Sequence, residues 1–261
     1  MWRYVSYYMT RWKAQTHFAM QLLVILSVYN RLETLRSTYD WYKNITCVAE
    51  VRVVWHNPEE RVPEWLSPFT PTTNSLNNRF APEAAAGYNV ALHVDDDVLL
   101  PEDVVCNTFS LWQVMQTTVF IFDPRFLDFQ KSFYRWNQVC DINVYNTGFV
   151  TKGSIFATAY LSEYFAPKWK TARHSITEYV TGEDLLMSAV LASKPLVAVY
   201  VGDFRKVKNT VVPLASRTSR HRRLVMTIIG RALNTTLQNR TRVFHGSPLK
   251  LDFIGPRCRV Y

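Results

Sequence analysis

Leu22-Leu23-Val24-Ile25-Leu26 is an apolar run without a polar break. A strand written this way is covered on both faces, which places it inside a sheet with helices on either side. The chain around it keeps that rhythm. A helix fits Leu32 to Tyr42, and Val51 to Trp55 reads as the next strand, stopped by the turn signal His56-Asn57-Pro58. Pro58, Pro63, Pro68 and Pro71 mark a surface connection. A short helix follows Asn77-Asn78-Arg79-Phe80, and Val90-Ala91-Leu92-His93-Val94 alternates as a buried strand should. Strands alternating with helices predict an α/β domain with a mostly parallel sheet. Ligands of such sheets bind beyond the carboxyl ends of the strands. Asn30, Arg31, Asn57, Asp95, Asp96 and Asp97 all stand just past strand ends, so they are expected to converge.

Asp95-Asp96-Asp97 is the most chemically loaded of these segments. Three adjacent carboxylates repel one another unless a cation sits among them. A hard divalent ion such as Mg²⁺ or Mn²⁺, held by one or two carboxylates and the phosphates of a substrate, would supply that charge. The competing explanation is an acidic turn ahead of a helix that starts near Pro101-Glu102-Asp103.

The second half is less regular. Val104 to Met115 reads as a helix, Val119 to Phe122 as a strand, residues 133–150 as a hairpin-rich segment, and Ile155 to Phe165 as a helix. Thr181-Gly182-Glu183-Asp184 opens another helix, and Val197 to Val201 is a last strand. Glu183 and Asp184 at a helix start either cap it or present a carboxylate to a reacting sugar or hydroxyl. Ser219-Arg220-His221-Arg222-Arg223 is either a solvated basic face or an arginine fork for a diphosphate. No P-loop and no Gly-x-Gly-x-x-Gly motif occurs, so any phosphate grip must come from side chains and metal.

Thirty Lys and Arg against 21 Asp and Glu give a net charge of +9 over 261 residues, which favours anionic partners. Nucleic acid is disfavoured as a partner, because the carboxylate cluster would repel its phosphates. Four widely spaced cysteines contain no Cys-x-x-Cys pair, which argues against zinc and leaves any disulfide pairing open. Asn44, Asn234 and Asn239 begin Asn-x-Ser/Thr sequons that permit a secretory location. No apolar stretch approaches the ~20 residues of a membrane helix, so a membrane anchor, if the full-length protein has one, is expected upstream.

Several segments taken in order carry a resemblance. They are Ser27-Val28-Tyr29-Asn30-Arg31, Val53-Val54-Trp55-His56-Asn57, Asn74-Ser75-Leu76-Asn77-Asn78-Arg79-Phe80, Val94-Asp95-Asp96-Asp97, Tyr145-Asn146-Thr147-Gly148-Phe149-Val150-Thr151-Lys152-Gly153-Ser154, and Glu183-Asp184-Leu185-Leu186-Met187. His221-Arg222 is similar to a late histidine-arginine pair. Together they resemble the glycosyltransferase domain of the exostosins, the exostosin-like N-acetylhexosaminyltransferases and their plant relatives, glycosyltransferase family 64.

The resemblance implies a GT-A type fold with a mixed, mostly parallel central sheet flanked by helices. The aromatic and basic residues 1–17 read as a stem or lead-in, and 18–261 as a single glycosyltransferase domain. Within that domain, 18–100 would bind nucleotide and 101–261 would hold the acceptor and the catalytic groups. The implied activity is retaining transfer of an N-acetylhexosamine, or a similar sugar, from a UDP-sugar to a glycan or glycolipid acceptor, and the net positive charge suits an acidic one. Mn²⁺, with Mg²⁺ as a substitute, would be the cofactor. Asn30, Arg31 and Asn57 would meet the uridine end, Asn74 and Arg79 the nucleotide-sugar, and Asp95 and Asp96 the ribose and donor sugar. Asp97 would ligate the metal. Asp184, with Glu183 beside it, would face the anomeric carbon, and Arg222 would stabilise the departing diphosphate. The lumen of the Golgi or endoplasmic reticulum is the expected location, with membrane association of the full-length protein, and a homodimer is compatible with the pattern. The chain departs from the family where a cysteine usually precedes the acidic pair: Gly182 stands there, and no cysteine lies between 141 and 257. Ser188 replaces a usual asparagine, and the match fades from about 231. A catalytically inactive glycan-binding relative of the same fold is the alternative.

Overall fold

The computed structural model describes residues 20–29, 31–122, 152–199 and 219–237, together with strand segments at 125–128, 133–135, 147–148 and 205–206. Its centre is a six-stranded sheet in the order β10-β5-β9-β3-β1-β2. These strands are β1 (Leu22–Val28), β2 (Val48–Trp55), β3 (Val90–Asp95), β5 (Val119–Ile121), β9 (Ser154–Ala157) and β10 (Leu196–Ala198). β1 runs parallel to β2 and β3, and β10 parallel to β5, while β9 is antiparallel to both β3 and β5. The mostly parallel sheet expected from the sequence is therefore present, with one reversed strand near its middle. Two smaller sheets pair β4 (Val98–Leu99) with β11 (Arg205–Lys206), and β6 (Arg125–Asp128) with β7 (Phe133–Arg135) and β8 (Thr147–Gly148).

Alternate strand residues build two separate cores. Leu22, Val24, Leu26, Val53, Trp55, Val90, Leu92 and Val94 face α1 (Leu32–Lys43) and α2 (Glu102–Val114), where Leu35, Tyr42, Val105, Phe109 and Trp112 meet them. Leu23, Ile25, Val54, Ala91, Ile121 and Phe156 face the other way, onto α3 (Tyr160–Tyr164), α4 (Lys170–Tyr179), α5 (Glu183–Leu191) and α6 (Ser219–Leu237). Each fully buried large apolar side chain contributes about 1.5–3 kcal/mol. A disulfide joins Cys47, at the foot of β2, to Cys106 in α2. Cys140 and Cys258 lie outside the described residues. Among the described residues no helix is long and apolar enough to cross a membrane.

One expected element is corrected. Ile155 to Phe165 is not one helix: Ser154–Ala157 is strand β9, and the helix begins only at Tyr160. The gap between β3 and β5 needs a strand with two buried faces. Ile155 serves one core and Phe156 the other.

Candidate active site

Three turns bring charged side chains to the carboxyl end of the parallel strands. The first follows β3. Register pairs Ser27 with Asp95 and Val28 with Trp55, so the segments leaving β1, β2 and β3 emerge side by side. The three aspartates then diverge. Asp96 is fully buried, whereas the side chains of Asp95 and Asp97 keep 21% and 23% of their surface. Arg31, at the start of α1, forks onto Asp96 through Nη2 and Nε, and its Nη1 donates to Asp97 Oδ2 at 3.1 Å. Thr38 Oγ1 donates to the Asp96 carbonyl at 2.8 Å. Burial pushes the Asp96 carboxyl up to about 7, against the pull of Arg31. Asp96 thus faces the protein, and Asp95 and Asp97 are the two that reach solvent.

The second turn is the 3₁₀ segment Leu76–Phe80, opened by Ser75, whose Oγ accepts from the backbone N–H of Asn77. It is pinned to the helical layer by Asn77, which donates to the Arg173 carbonyl at 2.8 Å and accepts from the Tyr164 hydroxyl at 2.6 Å. The segment delivers a buried Arg79, which donates to Asp95 Oδ1 at 2.6 Å and lies 3.6 Å from Glu183 Oε1. Burial works to depress this guanidinium, but Asp95, Glu183 and Asp184 outweigh it and raise its pKa above the ordinary value. Arg79 is therefore the bridge between the aspartate turn and α5.

The third turn joins α4 to α5. Val180 has φ 51° and Gly182 φ 96°. A β-branched residue in the left-handed region is uncommon and costs about 1–3 kcal/mol. The turn sets buried Glu183 and Asp184 in the first turn of α5, where the helix dipole favours carboxylates. Asp184 Oδ1 accepts from the N–H of Leu185 at 2.9 Å. The cysteine that the family pattern places at 182 would collide with Val225 of α6, which closes over this glycine.

Other expected residues are less central. Asn57 is buried, and its Oδ1 accepts from the N–H of Glu59 at 3.0 Å. Asn74 is exposed, beside a cleft of about 250 Å³ lined by Thr73, Ser75, Asn78, Phe165, Arg173 and His174. Asn30 and the Arg222 side chain lie outside the described residues, although residue 222 falls within α6.

Two histidines under the site were not anticipated. His56 is buried, with Nε2 2.7 Å from Ser27 Oγ and Nδ1 3.1 Å from the Ser75 carbonyl. A carbonyl only accepts, so Nδ1 carries the proton and Nε2 accepts from the serine. Burial lowers its pKa to about 4. His93 stacks on Phe156 with centroids 4.7 Å apart, and burial lowers its pKa to about 3. Neither of its ring nitrogens has a hydrogen-bond partner among the described residues, nor does Ser154 Oγ, which sits opposite it in register. For His93 the signal was a polar residue at an inward position of a strand that is otherwise apolar.

Among the described residues no group of three or more His, Cys, Asp or Glu side chains could enclose a metal ion. A partly exposed Asp97 at a strand end fits the other mode, in which one or two carboxylates meet an ion that also binds substrate phosphates.

Residues 22–231 match the sequence model of the glycosyl transferase family 64 domain. The chain is 26% identical over 181 residues to glucosamine inositolphosphorylceramide transferase 1 of Oryza sativa subsp. indica, covering 66% of this chain and 24% of that protein. It is 33% identical over 113 residues to exostosin-like 2 of Mus musculus, covering 39% and 34%. The chain thus spans about a quarter to a third of the length of these relatives. Among solved structures, S. aureus TarS 1-349 superposes with a TM-score of 0.50 at 14% identity, over 71% of this chain and 59% of that one. The likeness is one of fold, which is of the GT-A type.

Proposed function

Because the chain belongs to glycosyl transferase family 64, we propose that it is a UDP-sugar-dependent, retaining transferase that moves an N-acetylhexosamine to a glycan or glycolipid acceptor. The observation that carries this reading is Arg79, which ties Asp95 of the aspartate turn to Glu183 beside Asp184. Transfer breaks the bond between the anomeric carbon and the β-phosphate oxygen, which leaves with the electron pair. The acceptor oxygen forms the new bond and passes its proton to the departing phosphate. Negative charge grows on the nucleotide and positive charge on the ring. A divalent ion, when bound, would offset the first as a Lewis acid, and Asp97 is the residue to hold it. Arg31 would serve the same charge. Asp184 would face the ring, where a buried carboxylate stabilises the developing cation.

The net positive charge supports an acidic acceptor. The Cys47–Cys106 disulfide supports an oxidising compartment, the lumen of the endoplasmic reticulum or Golgi. A second reading, a glycan-binding relative without turnover, draws on the hold of Arg31 on Asp97, which already gives that carboxylate a cation.

UDP release from a panel of UDP-sugars, with Mn²⁺ and with chelator, separates the two. The transferase reading expects metal-dependent release from one donor, abolished in Asp97→Ala. Asp184→Asn is expected to bind that donor normally and to lose about 10²–10³-fold in turnover, in line with removal of a group that acts on transition-state charge. Donor-independent glycan binding with no UDP release, even with acceptors supplied, would favour the second reading.

A further inference from the structure

The Glu183–Asp184 pair is held by more than its own helix. Gly182, just before it, is buried and left-handed, and its carbonyl accepts from the N–H of Leu186 at 3.0 Å. A Cβ added there would stand 2.8 Å from Val225 Cγ1 and 3.2 Å from Val225 Cβ. Val225 is fully buried on α6, as are Met226 and Ile229, in one core with Leu185, Leu186 and Met187. Four residues earlier on α6, His221 stacks on Tyr179, the last residue of α4, with centroids 4.9 Å apart and planes 12° from parallel. α6 therefore grips the α4–α5 turn on both sides: His221 before it, Val225 on its glycine.

We propose that α6 is a positioning device for the Glu183–Asp184 pair, with Gly182 and Val225 as its contact point. The proposal rests on the reading of that pair as the group that acts on the sugar. The direction of the first turn of α5 follows from the backbone of Gly182. Glycine has no steric preference for its left-handed value over others. Val180, two residues earlier, is left-handed against its own preference. Such a turn keeps its shape only when the surroundings over-determine it, and Val225 is the side chain that presses on it. Loss of that pressure frees Gly182 to rotate and carries both carboxylates with it. A displacement of about 1 Å at a reacting centre costs on the order of a hundredfold in rate.

The test is a cycle of Val225→Ala, Gly182→Ala and the double variant, read as kcat and donor KM. Val225→Ala is expected to lower kcat by about tenfold or more with a smaller change in donor KM, because Arg31 holds Asp96 and Asp97 independently of α5. Gly182→Ala is expected to fall further. The double variant, in which the valine methyls no longer oppose the new Cβ, should exceed Gly182→Ala in kcat. A merely structural contact would lower the melting temperature without this split and without rescue. Unchanged kcat in Val225→Ala, or a double variant no better than Gly182→Ala, overturns the proposal. If Gly182→Ala does not fold, Val225→Ala decides alone. A readout independent of turnover keeps the two ideas apart: the carboxyl ¹³C resonances of Glu183 and Asp184 should move in Val225→Ala while that of Asp97 stays. Static Glu183 and Asp184 signals overturn the positioning role even in an active enzyme. Absence of UDP release by wild type overturns the transferase reading and leaves the resonance test standing.

Discussion

The two faces of the central sheet are built from the same strands and differ in what they bury. On the α1–α2 face the strand side chains are apolar, and the buried hydroxyls serve the backbone. Thr38 bonds the Asp96 carbonyl, and Tyr42 donates to the Val98 carbonyl at 3.0 Å. The Cys47–Cys106 bridge closes that side. On the opposite face the sheet itself carries Ser27, His93, Asp95 and Ser154, and the covering layer adds His56, Arg79, Glu183 and Asp184. Burying such groups costs free energy unless they are paired. One face is mainly apolar packing, with the Arg31–Asp96 pair at its edge, and the other accepts a less favourable interior to keep charged groups near the strand ends. That asymmetry is what a candidate active site looks like from inside the protein.

Arg79 is the most severe way to break the contrast. Replacing it with methionine keeps much of the volume and leaves Asp95 and Glu183 without their shared cation. Loss of one partner from a buried pair costs about 3–5 kcal/mol. Chemical denaturation of Arg79→Met should show a loss of that order, and Asp95→Asn added to it should restore part. A loss under about 1 kcal/mol, as for an exposed pair, would mean that solvent already screens the bridge.

On the other face the Cys47→Ser/Cys106→Ser pair is expected to cost about 2–4 kcal/mol, since the bridge closes a long loop with a sequence separation of 59. The result should also differ in kind. The bridge lies among packing groups, so donor binding by the folded double variant should match wild type. Weakened donor binding in a folded variant would show that the two faces are coupled, and the division drawn above would fail.

The mainly apolar face was also the easier to read in the sequence. β1, β2 and β3 announce themselves through apolar runs or strict alternation, and their ends placed Arg31 and Asp95–Asp97 together. β9 was misread because four residues with buried side chains on both faces carry no period, and the helix-compatible stretch behind them absorbed the signal. α6 was hidden by its basic start, and its apolar stripe of Val225, Met226 and Ile229 follows only afterwards. Arg79 stood out in the sequence as a candidate, but its bridging of Asp95 to Glu183 was not legible, because the approach of Glu183 is set by the packing of α4 and α5. The glycine at 182 read as a departure from a pattern, and its cause, Val225 against its backbone, lies on another helix.

His93 offers the mildest test, and it concerns how unfavourable the polar face is. The imidazole is held neutral by burial, with its pKa lowered to about 3, and His56 is lowered to about 4. Unfolded, each titrates near 6.5. Below that value the unfolded chain takes up protons that the folded chain refuses, so both histidines make stability fall as pH drops from about 6.5 toward 4. Asp96 acts in the opposite sense, since its carboxyl is raised to about 7 and the folded state holds a proton that the unfolded chain has released. Together these three groups contribute about one proton to the slope over this window, roughly 1.4 kcal/mol per pH unit. His93→Phe keeps a ring against Phe156 and removes one histidine from the sum. Urea unfolding at a series of pH values should then show a slope shallower than that of wild type by about one proton between 6.5 and 4. A variant that keeps the wild-type slope would mean that His93 takes up its proton inside the fold, and the buried imidazole would have to be redrawn as a charged partner of the site.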